Sequence, residues 1–207
     1  MSQPIVFIVD DDVSVRESLE ALINLTGSRA ETFASAEEFL ERPRVSVPNC
    51  LVLDVSLPDL NGLELQKRIT ADRADMPIIF ITGYGDVPMT VQAMKAGAAE
   101  FLMKPVSDDA LLDAIGQAIE NSRETIDREA ELQALRVDEA TLSRREREVM
   151  TLVVSGLMNK QVGFQLGISE ITVKAHRGRM MQKMKARSLA ELVNMDAKLR
   201  STSLVKT

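Results

Sequence analysis

Short apolar runs recur along the first part of the chain, and an amphipathic stretch follows each of them. Residues 5–9, 50–53, 77–81 and 100–103 read as strands, with 29–33 a weaker fifth. Helical periodicity fills the gaps at 13–26, 36–41, 62–71, 87–96 and 108–121. Five strand–helix repeats predict an α/β fold, a flavodoxin-like, doubly wound, five-stranded parallel sheet. Ligands in such sheets sit beyond the carboxyl ends of the strands. The acidic and hydroxyl residues that follow strands one, three, four and five should therefore meet on one rim.

Charge divides the chain. Residues 1–122 carry 9 Lys+Arg against 20 Asp+Glu, a balance of −11, whereas residues 141–207 carry 13 against 5, a balance of +8. The connector 123–140 has 3 against 6. An acidic module and a basic one are expected, the second facing an anionic partner. The segment 122–139 is poor in Gly and Pro, and Glu124 and Arg128 stand at i,i+4 in the favourable order, so a helical linker is expected between domains at 1–121 and 140–207. Cys50 is the sole cysteine and His176 the sole histidine, which excludes an internal disulfide, a thiol metal cluster and a His-rich metal site. With neither a leader pattern nor a long apolar run, a soluble cytoplasmic protein without membrane contact is the expectation.

Beyond Leu142 the pattern becomes all helical. Ser143 and Glu146 form a capping-box signal for a helix that runs to Ser155 before Gly156. A second helix covers about 159–166 and stops at Gly167; Ser169 caps a third at about 170–184, and a fourth covers about 189–199. Two helices joined by a short Gly-containing turn, the second rich in Lys and Arg, make a helix-turn-helix. On the third helix Val173, Met180, Met181 and Met184 fall on or near an apolar side. Lys174, Ala175, Gly178 and Gln182 project opposite, with Lys160, Arg177, Arg179 and Lys183 placed to reach phosphates. His176 is read as a phosphate contact or a packed residue, and the Met-rich segment 180–184 as core.

The rim chemistry follows from residue types. Asp10, Asp11 and Asp12 follow the first strand and Asp54 ends the third; carboxylates gathered there repel unless a cation neutralises them. Oxygen ligands without His or Cys suit Mg²⁺ or Mn²⁺. A carboxylate so placed can attack a phosphoryl group to give an acyl phosphate. Lys104, after the last strand, supplies a cation for the transferred oxygens, and Thr82 a hydroxyl. Asp12 is assigned to a helix cap, and the Lys104–Pro105 bond at the strand exit suits a cis peptide.

The stretches IVDDD, LVLDVSLPDLNG, ITGYGDVP and EFLMKP resemble response-regulator receiver domains over about residues 4–121. The resemblance implies Asp54 as phosphoacceptor, Asp10, Asp11 and the Ser56 carbonyl as further metal ligands, and Thr82 and Lys104 as phosphate-sensing residues. It also implies Phe101 as an aromatic switch, and Ser56 and Tyr84 as positions that tune dephosphorylation. Leu57 departs mildly from the family's usual Met. LSRREREVM, GLMNKQVGFQLGIS, ITVKAHR and ARSLAELV resemble the LuxR-type helix-turn-helix over about residues 140–200. That likeness implies base-facing roles around Lys174, Ala175 and Gly178, and phosphate contacts from Lys160 and Thr172. Gly178 leaves no side chain at a base-facing position, which shifts specificity toward Arg177, Arg179 or DNA shape. Gly163 stands where a small helix former is usual, at about 1 kcal/mol relative to Ala.

The whole chain thus resembles the FixJ/NarL family of two-component transcription regulators. The partners this implies are a sensor histidine kinase, DNA, a second copy of the chain on phosphorylation, and RNA polymerase; no enzyme activity beyond the receiver's own phosphorylation and dephosphorylation is expected. Two alternatives differ in class. One is a regulator that binds DNA without phosphate. The other is a haloacid-dehalogenase-type phosphatase using Asp10, since Asp10, Asp12 and Ser14 approximate its signature and Thr82, Lys104, Asp108 and Asp109 follow in its order. That reading leaves Asp54 and the helix-turn-helix unexplained.

Overall fold

The computed structural model describes residues 3–58, 60–73, 75–83 and 86–201, and the chain divides into two compact units, Met1–Asp127 and Arg128–Thr207. In the first unit the elements alternate as β1 (Ile5–Val9), α1 (Val13–Asn24), β2 (Arg29–Phe33), α2 (Ala36–Glu41), β3 (Asn49–Asp54), α3 (Gly62–Asp72), β4 (Ile78–Thr82), α4 (Val87–Lys95) and β5 (Glu100–Met103). The strands pair in parallel in the order β2-β1-β3-β4-β5. The strand order reverses at the β1/β3 boundary, where such sheets bind their ligands. β1 and β3 run in register from Ile5 opposite Asn49 to Val9 opposite Leu53, so Asp10 and Asp54 leave neighbouring strand ends together.

Alternation along the strands builds two cores. Phe7, Val9, Leu51, Leu53 and Phe80 face Phe39, Leu65, Ile69 and Ala93, whereas Val6, Ile8, Val52, Ile79 and Ile81 face Ile23, Leu111, Ile115 and Ile119. Because helices cover both faces, β1, β3 and β4 are buried at every position and read as continuous apolar runs. β2, an edge strand, is buried only at Phe33, which explains its weaker signal. Cys50 lies wholly inside the second core, where burial pushes its thiol up to about 12.

α5 (Asp108–Ala140) carries the chain from the first unit into the second. The last helix of the α/β pattern and the helical linker are thus a single element. Near its start Leu111, Ile115 and Ile119 serve the sheet; near its end Leu135 joins the core of the second unit. Ser122 is buried, donating to the Asp75 carbonyl at 2.7 Å and accepting from the Asn49 N–H at 3.0 Å.

The second unit continues with α6 (Arg144–Val154), α7 (Asn159–Leu166), α8 (Glu170–Lys183) and α9 (Leu189–Ser201). The capping box forms: Ser143 N–H donates to Glu146 at 2.8 Å and Glu146 N–H donates to the Ser143 hydroxyl at 3.3 Å. Ser169 caps α8 by accepting from Thr172 N–H at 3.1 Å. Val149, Val162, Val173, Met180, Met184 and Leu192 form the core, so the Met-rich segment is packing.

Glu146 also accepts from Lys183 at 2.6 Å, joining the start of α6 to the end of α8. Lys183, placed by sequence among the phosphate-reaching residues, is held by this pair and by the Thr141 carbonyl at 3.0 Å. The Lys183 ammonium, helped by the Ser143 N–H, holds the Glu146 carboxyl at about 2, below its ordinary 4.5. A depressed carboxylate stabilises the fold fully above the unfolded value and loses that contribution as pH falls through the folded one. The stability difference between wild type and Glu146→Gln is therefore expected to shrink as pH falls from 4.5 to about 2, read from urea unfolding by circular dichroism at each pH. A constant difference across that window would remove the pair's role.

Candidate functional site

Asp10 and Asp54 are buried at the carboxyl ends of β1 and β3. Lys104, just beyond β5, reaches back to both: its Nζ donates to Asp10 Oδ2 at 2.8 Å and to Asp54 Oδ2 at 2.7 Å. Each remaining oxygen is engaged, Asp10 Oδ1 by Asp12 N–H and Asp54 Oδ1 by Ser56 N–H, both at 2.9 Å. The Lys104 backbone is anchored by its N–H, which donates to the Thr82 carbonyl at 2.9 Å, and the bond to Pro105 is cis, as its place at the strand exit suggests. Thr82 is buried at the end of β4. Asp12 caps α1, accepting from Ser14 N–H at 2.8 Å, as its place predicts.

Three of the expected residues, Asp10, Asp54 and Lys104, thus meet in direct contact. Asp11 and Ser56 are exposed beside them. Phe101 is half-buried, its ring 5.9 Å from that of Phe80. Tyr84 lies outside the described residues. Arg16 is an addition that the sequence reading missed: from α1 it donates to the carbonyls of Asp10 at 2.6 Å and Asp11 at 3.0 Å, bracing the acidic turn. Its spacing of six from Asp10 was the available signal, but any exposed helix carries such an arginine.

Burial raises the Asp10 carboxyl above its ordinary value, against the opposing pull of Lys104 and the Asp12 N–H. Burial alone would lower Lys104; its hydrogen bonds to Asp10 and Asp54 override this and raise it. One ammonium therefore faces two buried carboxylates, an imbalance that a further cation would relieve. Among the described residues no group of three His, Cys, Asp or Glu could by itself hold a metal ion. The donors fit instead a hard cation that takes one or two carboxylates and completes its shell with water and phosphate oxygens.

In the second unit α8 presents the expected two faces. Val173, Met180 and Met184 are buried, while Lys174, Ala175, Gly178, Arg179 and Gln182 are exposed. Lys174 pairs with Glu170 at 3.1 Å. Arg177 is half-buried and donates to Asn159 Oδ1 at 3.1 Å, tying α8 to α7. The Thr172 hydroxyl lies 2.8 Å from that of Ser169, at the cap. Lys160 is exposed on α7; His176 is half-buried, its Nδ1 without a hydrogen-bond partner among the described residues. Gly163 gains a reason beyond propensity: a Cβ there would lie 2.7 Å from the Ile168 carbonyl oxygen.

A parallel α/β domain with a lysine-bridged acidic rim, followed by a helix-turn-helix domain, defines a class of two-module signalling regulators. Residues 6–116 match the response regulator receiver domain and residues 140–196 match the bacterial regulatory proteins of the luxR family. The chain belongs to the response regulators of the FixJ/NarL type, transcription regulators built from these two domains. Nodulation protein W of Bradyrhizobium diazoefficiens is 49% identical over 198 residues, covering 96% of this chain and 87% of the relative. The transcriptional regulatory protein FixJ of Azorhizobium caulinodans is 43% identical over 190 residues, covering 92% and 90%. Among solved structures, the response regulator StyR has a TM-score of 0.85 at 48% identity, covering 95% of this chain and all of that one. Full-length FixJ from B. japonicum has a TM-score of 0.58 at 39% identity, covering 97% and 99%. Membership in a family of regulators sets aside the phosphatase alternative. No helix among the described residues is long and apolar enough to cross a membrane.

Proposed function

We propose that Asp54 accepts a phosphoryl group from a sensor histidine kinase and that this controls DNA binding by the second domain. The observation that carries the proposal is the Lys104 ammonium bridging Asp54 and Asp10 at 2.7 and 2.8 Å on the rim where the strand order reverses. A carboxylate oxygen of Asp54 attacks the phosphorus of a phosphohistidine, the P–N bond breaks, and the imidazole nitrogen keeps the electron pair. When bound, Mg²⁺ or Mn²⁺ would take carboxylate oxygens from Asp54 and from Asp10 or Asp11, with the Ser56 carbonyl, water and phosphate oxygens completing its shell, and would supply charge neutralisation for the transferred oxygens. Lys104 then trades its contact with Asp54 for one with the phosphoryl group. Thr82 hydrogen-bonds another phosphoryl oxygen, and Phe101, leaning on Phe80 beside it in the β4–β5 register, follows that movement.

The output is a duplex contact. Lys174, Ala175 and Gly178 face base edges, while Lys160, Thr172, His176, Arg177 and Arg179 reach phosphates or hold the reading helix in place. Phosphorylation pairs two copies on a two-fold site, from which RNA polymerase is contacted. Acyl-phosphate treatment in the presence of Mg²⁺ is expected to tighten operator binding about 5–150-fold, measured at one fixed salt concentration. Equal affinity of treated and untreated protein would replace this reading with a regulator that binds DNA without phosphate.

A further inference from the structure

The exposed stripe of α8 begins one turn earlier than the residues assigned so far. Ile171, Lys174, Ala175 and Gly178 stand at i, i+3, i+4 and i+7, one face of a helix, and all four are exposed. Ile171 is 79% exposed at the second position of α8, opposite the wholly buried Val173. Single exposed apolar residues are ordinary on any surface, so exposure alone decides nothing. Three further observations do.

The first is position: in a helix-turn-helix, the N-terminal residues of the second helix are those that meet base edges. The second is the neighbourhood. Lys174 stands one turn along the same face and Lys160 is exposed on α7, within a module carrying 13 Lys+Arg against 5 Asp+Glu. Phe164, one turn from Lys160 on α7, is exposed as well, and it is the module's positive balance that favours a polyanion over an apolar protein face. The third is what the rest of the stripe lacks. Ala175 offers a single methyl, and a Cβ placed at Gly178 would meet nothing within 4 Å. Ile171 is the stripe's one long apolar side chain. The apolar feature that a duplex presents in its major groove is the thymine C5 methyl, which distinguishes T·A from A·T, G·C and C·G.

We infer that Ile171 is a specificity residue that takes a thymine methyl group in each half-site. The inference rests on the proposed entry of α8 into the major groove and adds a residue to its base-reading set. It also places part of the specificity that Gly178 gives up two turns earlier on the same helix face. The contact is neutral, so it selects sequence without adding to salt-dependent affinity.

The test uses the full-length chain, treated with acetyl phosphate and Mg²⁺, to select its operator from a pool of random duplexes. Each thymine of that operator is then replaced in turn by uracil, which removes the methyl alone. One replacement per half-site is expected to weaken wild-type binding about fourfold, the effect of one buried methyl-sized group. Ile171→Ala is expected to bind thymine and uracil operators equally, with the salt slope and the affinity for unrelated duplexes unchanged. Wild-type binding indifferent to every replacement, or undiminished thymine preference in Ile171→Ala, would overturn the inference. Lys174→Ala, measured alongside, separates the levels. Unaltered operator binding by that variant overturns both the groove entry and the methyl contact. Weakened binding by it together with intact methyl preference in Ile171→Ala overturns the methyl contact alone.

Discussion

Asp54→Asn is expected to abolish Mg²⁺-dependent incorporation of phosphate from a small phosphodonor, with the first domain still folded. The amide keeps the size of the carboxylate but provides no anionic nucleophile. It also has one acceptor where Asp54 satisfies two donors, the Ser56 N–H at 2.9 Å and Lys104 Nζ at 2.7 Å. Lys104 keeps its bond to Asp10, so the loss is one hydrogen bond, a cost of about 0.5–1.5 kcal/mol, or more where the freed donor is cut off from water. Chemistry and stability are therefore separable in this variant. Asp10→Asn makes the contrasting case: it leaves the nucleophile intact and removes a proposed metal ligand, so labelling should slow and demand more Mg²⁺ rather than vanish. Intact-mass measurement after acetyl phosphate treatment reads both. Persistent phosphate on Asp54→Asn would assign the acceptor elsewhere.

Gly62→Ala is expected to damage the same site from behind. Gly62 opens α3 and its N–H donates to the Val55 carbonyl at 3.0 Å, drawing the helix start against the end of β3. A Cβ on Gly62 would stand 2.7 Å from the Asp54 carbonyl oxygen, 2.9 Å from Val55 Cα and 3.2 Å from the Phe80 ring. Two of these neighbours are backbone, which cannot swing aside as a side-chain tip does. Overpacking of this kind costs about 1–3 kcal/mol. Relief by backbone movement displaces Asp54, and ångström-scale misplacement of a reacting group costs up to about 10²-fold in rate. Urea unfolding and the rate of phosphate incorporation should fall together. Gly116→Ala is the control, since a Cβ there meets nothing within 4 Å in the middle of α5; it should be neutral or slightly stabilising. A Gly62→Ala protein with wild-type stability and rate would show that the strand end yields without cost.

Much of this fold was legible because local pattern and tertiary role agree. The wholly apolar 5–9 and 50–53 runs are what a strand covered on both sides requires, and the DDD and LD endings put Asp10 and Asp54 at adjacent strand ends. Short-range signals carried the caps at Asp12, Ser143 and Ser169, because each closes within three residues. The strand-end rule also put Lys104, distant in sequence, on the rim with these acids; the likeness to known families supplied what spacing could not, namely a switch role for Phe101 and a ligand role for the Ser56 carbonyl. What escaped notice are contacts between distant elements. Lys183 with Glu146, and Ser122 with both Asn49 and Asp75, obey no period, so nothing in the sequence marks them until the helices pack. The same limit explains the misplacing of Lys183 among the phosphate-reaching residues, since an exposed-looking lysine on a basic helix has no local sign of its partner.

The wholly buried Cys50 leaves a regulator whose native state offers oxidants and electrophiles no accessible thiol. In the proposed function signals enter this chain through phosphorus chemistry, and the redox state of its surroundings has no cysteine handle on it. Thiol reactivity becomes a property of the opened sheet alone, a silent marker inside the receiver core that speaks only when β3 comes apart.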